Sequence, residues 1–330
     1  MKILITGGGG FIGTNAVEAF AARGHELCDL SSDEPLNSAH GKYWQRADIL
    51  DRDALVKQFR EFQPRWVLHL AARADCDENT SVEKGYPVNT VGTQNVLDAI
   101  KATPSVGRAI ITSTQFVCGP GPLPRDETDY FPATIYGQSK VLTEQFTRAA
   151  ELPCCWTLIR PTNVWGPWHM RYRREFWRVL QRRMYVHPGR EVVIRSYGYV
   201  KNVVDQMHRI FEAPAEKVAG RTIYVGDRPI NLLEWVNGFS RLLARREVTV
   251  VPRPLMRALA LLGDVPTRLT GRAFLINSSR YRSMITDYPT PMEPTFALLG
   301  ENPYSMQRGI EETVEWLGQY QGPGATGGGA

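Results

Sequence analysis

Thr6-Gly7-Gly8-Gly9-Gly10-Phe11-Ile12-Gly13 is the stretch on which the reading of this chain turns. Before it, Lys2 to Thr6 is a short run of β-branched and leucine residues. After it, Phe11 to Ala22 carries apolar residues at helical spacing. The order is strand, glycine turn, helix. Gly7 permits the tight turn after the strand, Gly10 lets a backbone approach a pyrophosphate, and Gly13 lets the helix pack close to the sheet. The helix N-terminus, opening with Phe11 and Ile12, offers free N–H groups and the positive end of a dipole. A glycine cluster alone is an ordinary turn; its place between strand and helix marks it as a dinucleotide cradle.

The same alternation continues outward. Glu26 to Leu30, Tyr43 to Ile49, Trp66 to Ala71, Arg108 to Ser113 and Cys155 to Arg160 read as strands. Asp51 to Phe62, Val88 to Ala102 and Ile135 to Ala150 read as helices between them. This predicts an α/β fold, a Rossmann-type doubly wound parallel sheet over residues 1–165. Asp29 is expected to end the second strand, where a carboxylate accepts hydrogen bonds from adenosine ribose hydroxyls. That favours NAD, because Asp29 would repel a 2′-phosphate and no arginine follows immediately. Asp48 and Ile49, after the third strand, meet the adenine edge, unless Asp48 caps the helix near Asp51.

After Pro161 the rhythm breaks and aromatic, arginine and proline content rises. Residues 166–317 are expected to form a smaller substrate-binding lobe, with a segment near 195–213 returning to the first. Val200 to Glu212 and Asn231 to Ala244 read as helices. The glycine-rich end, 318–330, reads as a flexible tail. The 330 residues, 43% hydrophobic, suffice for a full core, and the net charge of +5 suits an anionic small molecule rather than nucleic acid. The five cysteines (Cys28, Cys76, Cys118, Cys154, Cys155) have no metal-ligand spacing, and four lie in or beside apolar runs. Reduced thiols, no metal and a cytoplasmic setting are expected. Met1-Lys2 leads into the first strand without a signal-peptide pattern, and no apolar run is long enough to span a bilayer.

Tyr136-Gly137-Gln138-Ser139-Lys140 sets a tyrosine and a lysine four apart, on one helix face. A nearby ammonium favours phenolate. Such a tyrosine can take a proton from an alcohol as hydride leaves for nicotinamide. With the glycine turn, this pair resembles the extended short-chain dehydrogenase/reductase family, particularly its NAD-dependent nucleotide-sugar epimerases and dehydratases. His69-Leu70-Ala71-Ala72 is similar to that family's turn beneath the cofactor, and Asn89-Thr90-Val91-Gly92-Thr93 to its helix with a structural asparagine. Thr112 to Gly119 and Arg160 to Pro167 resemble its serine/threonine and R-P-x-N-x-x-G-P segments.

The resemblance implies roles. Thr114, rather than its neighbour Ser113, would hydrogen-bond the substrate oxygen beside Tyr136. Lys140 would also hold the nicotinamide ribose, and Leu70, Ala71, Ala72 and Asn89 would flank the cofactor. Asn163 would approach the substrate diphosphate. Arg195, in a segment similar to R-D-F-x-x-V, would clamp phosphate. A homodimer through Val88 to Ala102 and Ile135 to Ala150 is likewise implied. Departures narrow the reaction: Gln115-Phe116 replaces the acidic pair of the dehydratases, which disfavours 4,6-dehydration. Cys118, Ser196 and Lys201-Asn202 also depart from the familiar pattern.

Trp168 to Arg183 interleaves six arginines with Tyr172, Phe176 and Trp177. It reads as a basic aromatic wall for a nucleotide, as a helix with a solvated basic face, or as a contact for an anionic membrane. The apolar run Leu255 to Leu262 is expected to pack in the core; exposed, it would assist peripheral membrane contact. That region and Thr270-Gly271-Arg272 resemble the 3β-hydroxysteroid dehydrogenase branch. The expected function is therefore NAD-dependent epimerisation or oxidoreduction of a nucleotide-linked sugar through a 4-keto intermediate. The alternatives are an NAD-dependent dehydrogenase of a steroid-like alcohol and a non-catalytic NAD-binding protein.

Overall fold

The computed structural model describes residues 1–270 and 276–320, with side chains to residue 264 and from 276 onward. Gly271-Arg272 and residues 321–330 of the expected tail lie outside the described residues. Along the chain run β1 (Lys2–Thr6), α1 (Phe11–Ala22), β2 (Glu26–Ser31), β3 (Trp44–Arg46), α2 (Arg52–Phe62), β4 (Trp66–His69) and α3 (Val82–Gly85). Then come α4 (Thr93–Lys101), β5 (Arg108–Thr112), α5 (Ile135–Ala149), β6 (Cys155–Pro161), β7 (Asn163–Trp165), α6 (Met170–Tyr172), α7 (Arg178–Gln181) and β8 (Val186–Pro188). Next are β9 (Ile194–Arg195), β10 (Tyr197–Tyr199), α8 (Val200–Glu212), α9 (Ala215–Val218), β11 (Thr222–Val225), β12 (Ile230–Asn231) and α10 (Leu232–Ala244). The last are β13 (Thr249–Val251), α11 (Arg253–Thr270), α12 (Ser278–Ile285), α13 (Glu293–Leu299) and α14 (Met306–Gln319).

Two compact units form. The first comprises Met1–Trp168, Ser196–Arg228 and Thr290–Pro303. Its seven-stranded sheet has the order β11-β6-β5-β4-β1-β2-β3, every pair parallel. Ile3, Leu4, Ile5, Val67 and Leu68 are fully buried, because helices cover both faces of a parallel sheet. That is why these strands read as apolar runs without alternation. The strand order reverses between β1 and β4, and a cleft opens beyond the carboxyl ends of strands at such a point.

The second unit comprises His169–Arg195, Pro229–Pro289 and Tyr304–Ala330. Its core is aromatic. Phe176 stacks on Trp235 at 4.9 Å, and Trp177, fully buried, meets Phe239 and Trp316. The aromatics of the arginine-rich segment therefore face this core and form no wall for a nucleotide, while Arg171, Arg174, Arg178, Arg182 and Arg183 are exposed.

Four expectations change. Thr290–Pro303 belongs to the first unit, because α13 packs on β11, where Thr295 donates to the Tyr224 carbonyl at 2.6 Å. Gly318 and Gln319 close α14 and are not tail. Asp29 does not end its strand, since β2 pairs on through Ser31. Leu255, Leu259, Leu261 and Leu262 are exposed, because α11 turns Met256, Ala260 and Gly263 inward instead.

Candidate active site

Gly7 takes φ +77°, a left-handed conformation, and a Cβ there would lie 2.7 Å from the Ala71 nitrogen. A Cβ on Gly13 would lie 2.2 Å from the Gly7 carbonyl oxygen, so α1 seats on the turn only without one. Gly10 is the residue before α1 and gives the first N–H groups of the helix no side-chain cap. A Cβ on Gly10 would meet only the Gly7 oxygen, at 3.4 Å. Its bareness serves the space outside the protein rather than packing within it.

That space is a cleft of about 600 Å³ at the sheet's reversal point. Gly7, Gly10, Asp48, Ile49, Leu70, Ala71 and Ala72, all candidates from sequence, line it together. Phe11, Ile12 and Gly13 do not; they belong to the helix behind the turn. Asn89 is fully buried in a π-turn before α4. It accepts from the Arg73 amide at 2.9 Å and donates to the Arg73 carbonyl and to Ser139 Oγ, both at 2.9 Å. It fixes the strand-end loop to α5, and its part is structural.

Asp29 is not on the cleft wall. It is 1% exposed beneath the glycine turn, where a Gly8 Cβ would strike its carboxyl at 2.4 Å. Ser31 Oγ donates to Asp29 Oδ1 at 2.6 Å and accepts from the Gly9 amide at 3.0 Å. Burial raises the Asp29 carboxyl to about 6, with the Ser31 hydrogen bond opposing. The residues at the strand end and just after it, Ser31, Ser32, Asp33 and Glu34, line the cleft instead. Two to five places beyond Asp29 in the same run, they were missed because composition does not mark where β2 stops. Asp48 holds the Leu50 amide at 2.9 Å, and the cap of α2 is Asp51.

The catalytic candidates converge at β5 and the first turns of α5. Thr134 caps α5 by accepting from the Gly137 amide at 2.9 Å, which places Tyr136 in the first turn. Thr114 Oγ1 accepts from the Phe116 amide at 3.3 Å, and its hydroxyl stands near enough to the Tyr136 phenol to favour the charged form; the Tyr136 ring lies near Phe116 and Tyr86. Burial holds this phenol well above its ordinary range, the nearby Thr114 hydroxyl opposing; Cys76 and Tyr86 add to the rise. Lys140 is 1% exposed and lowered to about 8 by burial, with Glu144 opposing. Its charge is felt by His69, which burial lowers to about 3 and which Thr6 and Thr93 hold as a neutral ring. The ammonium is not among the groups that shift Tyr136 here.

Ser113 and Thr114 separate cleanly. Ser113 Oγ donates to Glu144 Oε1 at 2.6 Å and is thereby occupied. Glu144, fully buried, also takes two hydrogen bonds at 2.8 Å from Arg160 and one from Tyr130 at 3.0 Å. Arg160 goes on to the Glu127 carbonyl at 2.7 Å and the Tyr224 hydroxyl at 3.1 Å. Glu144 went unremarked in sequence; its signal was a third helical step after Tyr136 and Lys140.

Asn163 begins β7, and its side chain has no hydrogen-bond partner among the described residues. Arg195 departs from expectation. In the second unit its Nη1 donates to the Ser283 and Thr286 carbonyls at 3.0 and 3.1 Å, with Tyr288 stacked 5.5 Å away. Nη1 thus braces the end of α12, while the buried Nε has no hydrogen-bond partner among the described residues. No cluster of metal-binding side chains occurs among the described residues.

The family pattern that spans β1 to β11 matches residues 3–226 and is that of the NAD dependent epimerase/dehydratase family. The chain belongs to this family. Its cofactor is NAD, and the cleft fits it: the glycine turn before the uncapped start of α1 and the acidic Asp33-Glu34 pair both line it. A 3β-hydroxysteroid dehydrogenase/Δ5→4-isomerase of Mycobacterium tuberculosis is 28% identical over 257 residues, 71% of this chain and 67% of that one. An N-acetyl-α-D-glucosaminyl-diphospho-ditrans,octacis-undecaprenol 4-epimerase of Escherichia coli O157:H7 is 24% identical over 96% of this chain and 95% of its own. Among solved structures, the UDP-glucose 4-epimerase of Thermus thermophilus in complex with NAD superposes with a TM-score of 0.72 at 22% identity. The match covers 99% of this chain and 100% of that one.

Proposed function

We propose that this protein is an NAD-dependent epimerase or oxidoreductase that works on a nucleotide-linked sugar through a 4-keto intermediate. The observation that carries the proposal is the buried Thr114–Tyr136 hydroxyl pair, with the Lys140 ammonium on the same helix. When bound, NAD accepts the sugar's hydride and returns it. Tyr136 takes the hydroxyl proton and gives it back to the keto oxygen when the hydride returns. Thr114 holds the phenol and the substrate oxygen in register, and Lys140 supplies positive charge and holds the nicotinamide ribose. The unpartnered Asn163 amide suits a diphosphate. Gln115, 1% exposed in the turn after Thr114, carries no acid or base, which favours epimerisation over dehydration.

The test is incubation with UDP-, GDP-, dTDP- and CDP-sugars, followed by product analysis and NADH absorbance. Interconversion without net NADH supports the proposal. Indifference to every nucleotide sugar, with steady NADH formation from an apolar alcohol, overturns it. That outcome is the second reading, a steroid-like alcohol dehydrogenase, which the 28% identity to the mycobacterial 3β-hydroxysteroid dehydrogenase favours. A non-catalytic role would require Tyr136→Phe to leave turnover unchanged. The five free cysteines suit a cytoplasmic setting. Pairing through the segments Val88 to Ala102 and Ile135 to Ala150 would give a homodimer, with Val91 at 47% exposure in the contact; light scattering of the purified protein decides it.

A further inference from the structure

α11 is built the wrong way round for a helix of a water-bathed surface. Its large apolar side chains face out: Leu255 is 54% exposed, Leu259 40%, Leu261 57% and Leu262 69%. Leu255, Leu259 and Leu262 follow i, i+4, i+7 spacing and form one stripe. The face turned inward carries Met256, Ala260 and Gly263. Isolated exposed leucines need no account, but four on one helix make a patch of the kind that marks an interaction surface.

The surroundings say what covers the patch. The second unit holds 18 arginines, no lysine and nine acidic residues, a net charge of +9 within a chain whose total is +5. Arg174, Arg178, Arg182, Arg183 and Arg257 are exposed and make no ion pair among the described residues. The basic segment and α11 adjoin within this unit. Arg253, at the start of α11, pairs with Glu191 at 3.3 Å, beside the exposed Arg190 and Val192. α12 packs along α11, and its Arg280 reaches Glu175 of the arginine-rich segment at 3.8 Å. An occupant must be apolar at the leucines and negative around them. A second copy brings the same excess of arginine. Residues 321–330 of this chain offer no large apolar side chain.

We propose that the second unit docks on an anionic lipid bilayer, with the leucine face of α11 entering the boundary of headgroups and acyl chains and the arginines meeting lipid phosphates. Guanidinium groups suit phosphate oxygens, and leucines gain by leaving water. The docking is peripheral, since no helix among the described residues is long and apolar enough to cross a membrane. It is separate from the catalytic proposal, and its readout needs no substrate.

The experiment is co-sedimentation of the full chain with phosphatidylcholine vesicles, with and without about one third phosphatidylglycerol, at about 0.1 M and about 0.5 M salt. Binding to the anionic vesicles at low salt, roughly tenfold or more above pure phosphatidylcholine and lost at high salt, is expected. Leu255→Glu with Leu262→Glu should weaken it about tenfold while leaving the melting temperature unchanged, because both side chains already face out. Arg174→Gln and Arg178→Gln test the same surface without touching α11, and each should weaken binding roughly fivefold. Absence of binding by the wild type overturns the proposal, as does wild-type binding by the leucine variant. A leucine variant that loses only self-association by light scattering shows instead that the face covers a second copy, and overturns it too.

Discussion

Ser31 Oγ donates to the buried carboxylate of Asp29 at 2.6 Å and accepts from the Gly9 amide at 3.0 Å. The carboxylate thus sits beneath the glycine turn, where the Ser31 hydroxyl and the Gly8 and Gly9 amides favour its charged form. Its raised value of about 6 means that the fold favours the protonated acid. Between the unfolded value, near 3.8, and 6, the folded state binds more protons, so stability falls as pH rises through that window. The cost at pH 7 is about 3 kcal/mol, two pKa units at ~1.4 kcal/mol each. Asp29→Asn keeps an acceptor for Ser31 without the charge. It should melt higher than wild type at pH 7 and no higher at pH 4. Thermal melts over pH 4–7 check this; parallel curves would remove Asp29 as the source.

Discrimination between cofactors then passes to the residues that face the cleft. Asp33 and Glu34 line it, and Arg73, the one arginine on the wall among the described residues, is tied to Asp75 at 2.8 Å and Asp77 at 3.0 Å. A 2′-phosphate arriving here meets net negative charge. Asp33→Asn with Glu34→Gln should lower the NAD preference over NADP by roughly tenfold, the size of a partly exposed charge interaction. Asp29→Asn should leave that preference alone. The kcat/KM ratio for the two cofactors, measured on both variants, separates the assignments.

The difference between Asp29 and Asp33 shows what sequence could and could not reveal. β1, the glycine turn and α1 were legible because each glycine answers a local backbone demand, and Tyr136 and Lys140 because helical spacing fixes their common face. The end of β2 was not legible: Leu27-Cys28-Asp29-Leu30-Ser31 is buried throughout, so no alternation marks its last paired residue. The apolar run of α11 had the right period, yet a period does not say which way the stripe faces, and here it faces out. The arginine-rich segment gave its helix but not the inward turn of Phe176 and Trp177, which depends on Trp235 and Phe239 far along the chain. Arg195 resembled a clamp by its motif, while its partners, the carbonyls of Ser283 and Thr286, lie some ninety residues away. Contacts over such separations leave no local signature.

Glu144 and Arg160 form an ion pair that is 0% and 1% exposed, and Ser113, Tyr130 and Tyr224 complete its hydrogen bonds. Removing one partner leaves the other charged and buried, which typically costs 3–5 kcal/mol. Arg160→Met should therefore destabilise by about that amount in urea titration. Ser113→Ala removes a single donor to a charged acceptor and should cost about 1.5–3 kcal/mol. If Ser113 rather than Thr114 served the substrate, the alanine variant would lose turnover far beyond its loss of stability. Thr114→Ala is expected to show that split.

Lys140 carries the sharpest conflict between stability and activity. Its value, lowered to about 8 by burial, means that the folded state binds fewer protons than the unfolded state between pH 8 and 10.5. Stability from this group therefore rises with pH across that window, and below pH 8 the whole burden of the buried ammonium remains, about 3 kcal/mol for the 2.5-unit shift. Lys140→Met should thus be the more stable protein at pH 7, by up to that amount, and converge with wild type above pH 10. Activity should move the other way: without the ammonium that supports proton transfer by Tyr136 and holds the ribose, the methionine variant should lose roughly 10²–10⁴ in kcat. In the wild type, the apparent pKa on the alkaline limb of binding by free enzyme should fall near 8, as the ammonium is lost. Glu144→Gln removes the charge that holds Lys140 up, so that limb should shift to lower pH. A pH profile of NAD binding for the three proteins, set beside their melts, reads both effects. A methionine variant that is both less stable at pH 7 and fully active would show that the buried ammonium is structural.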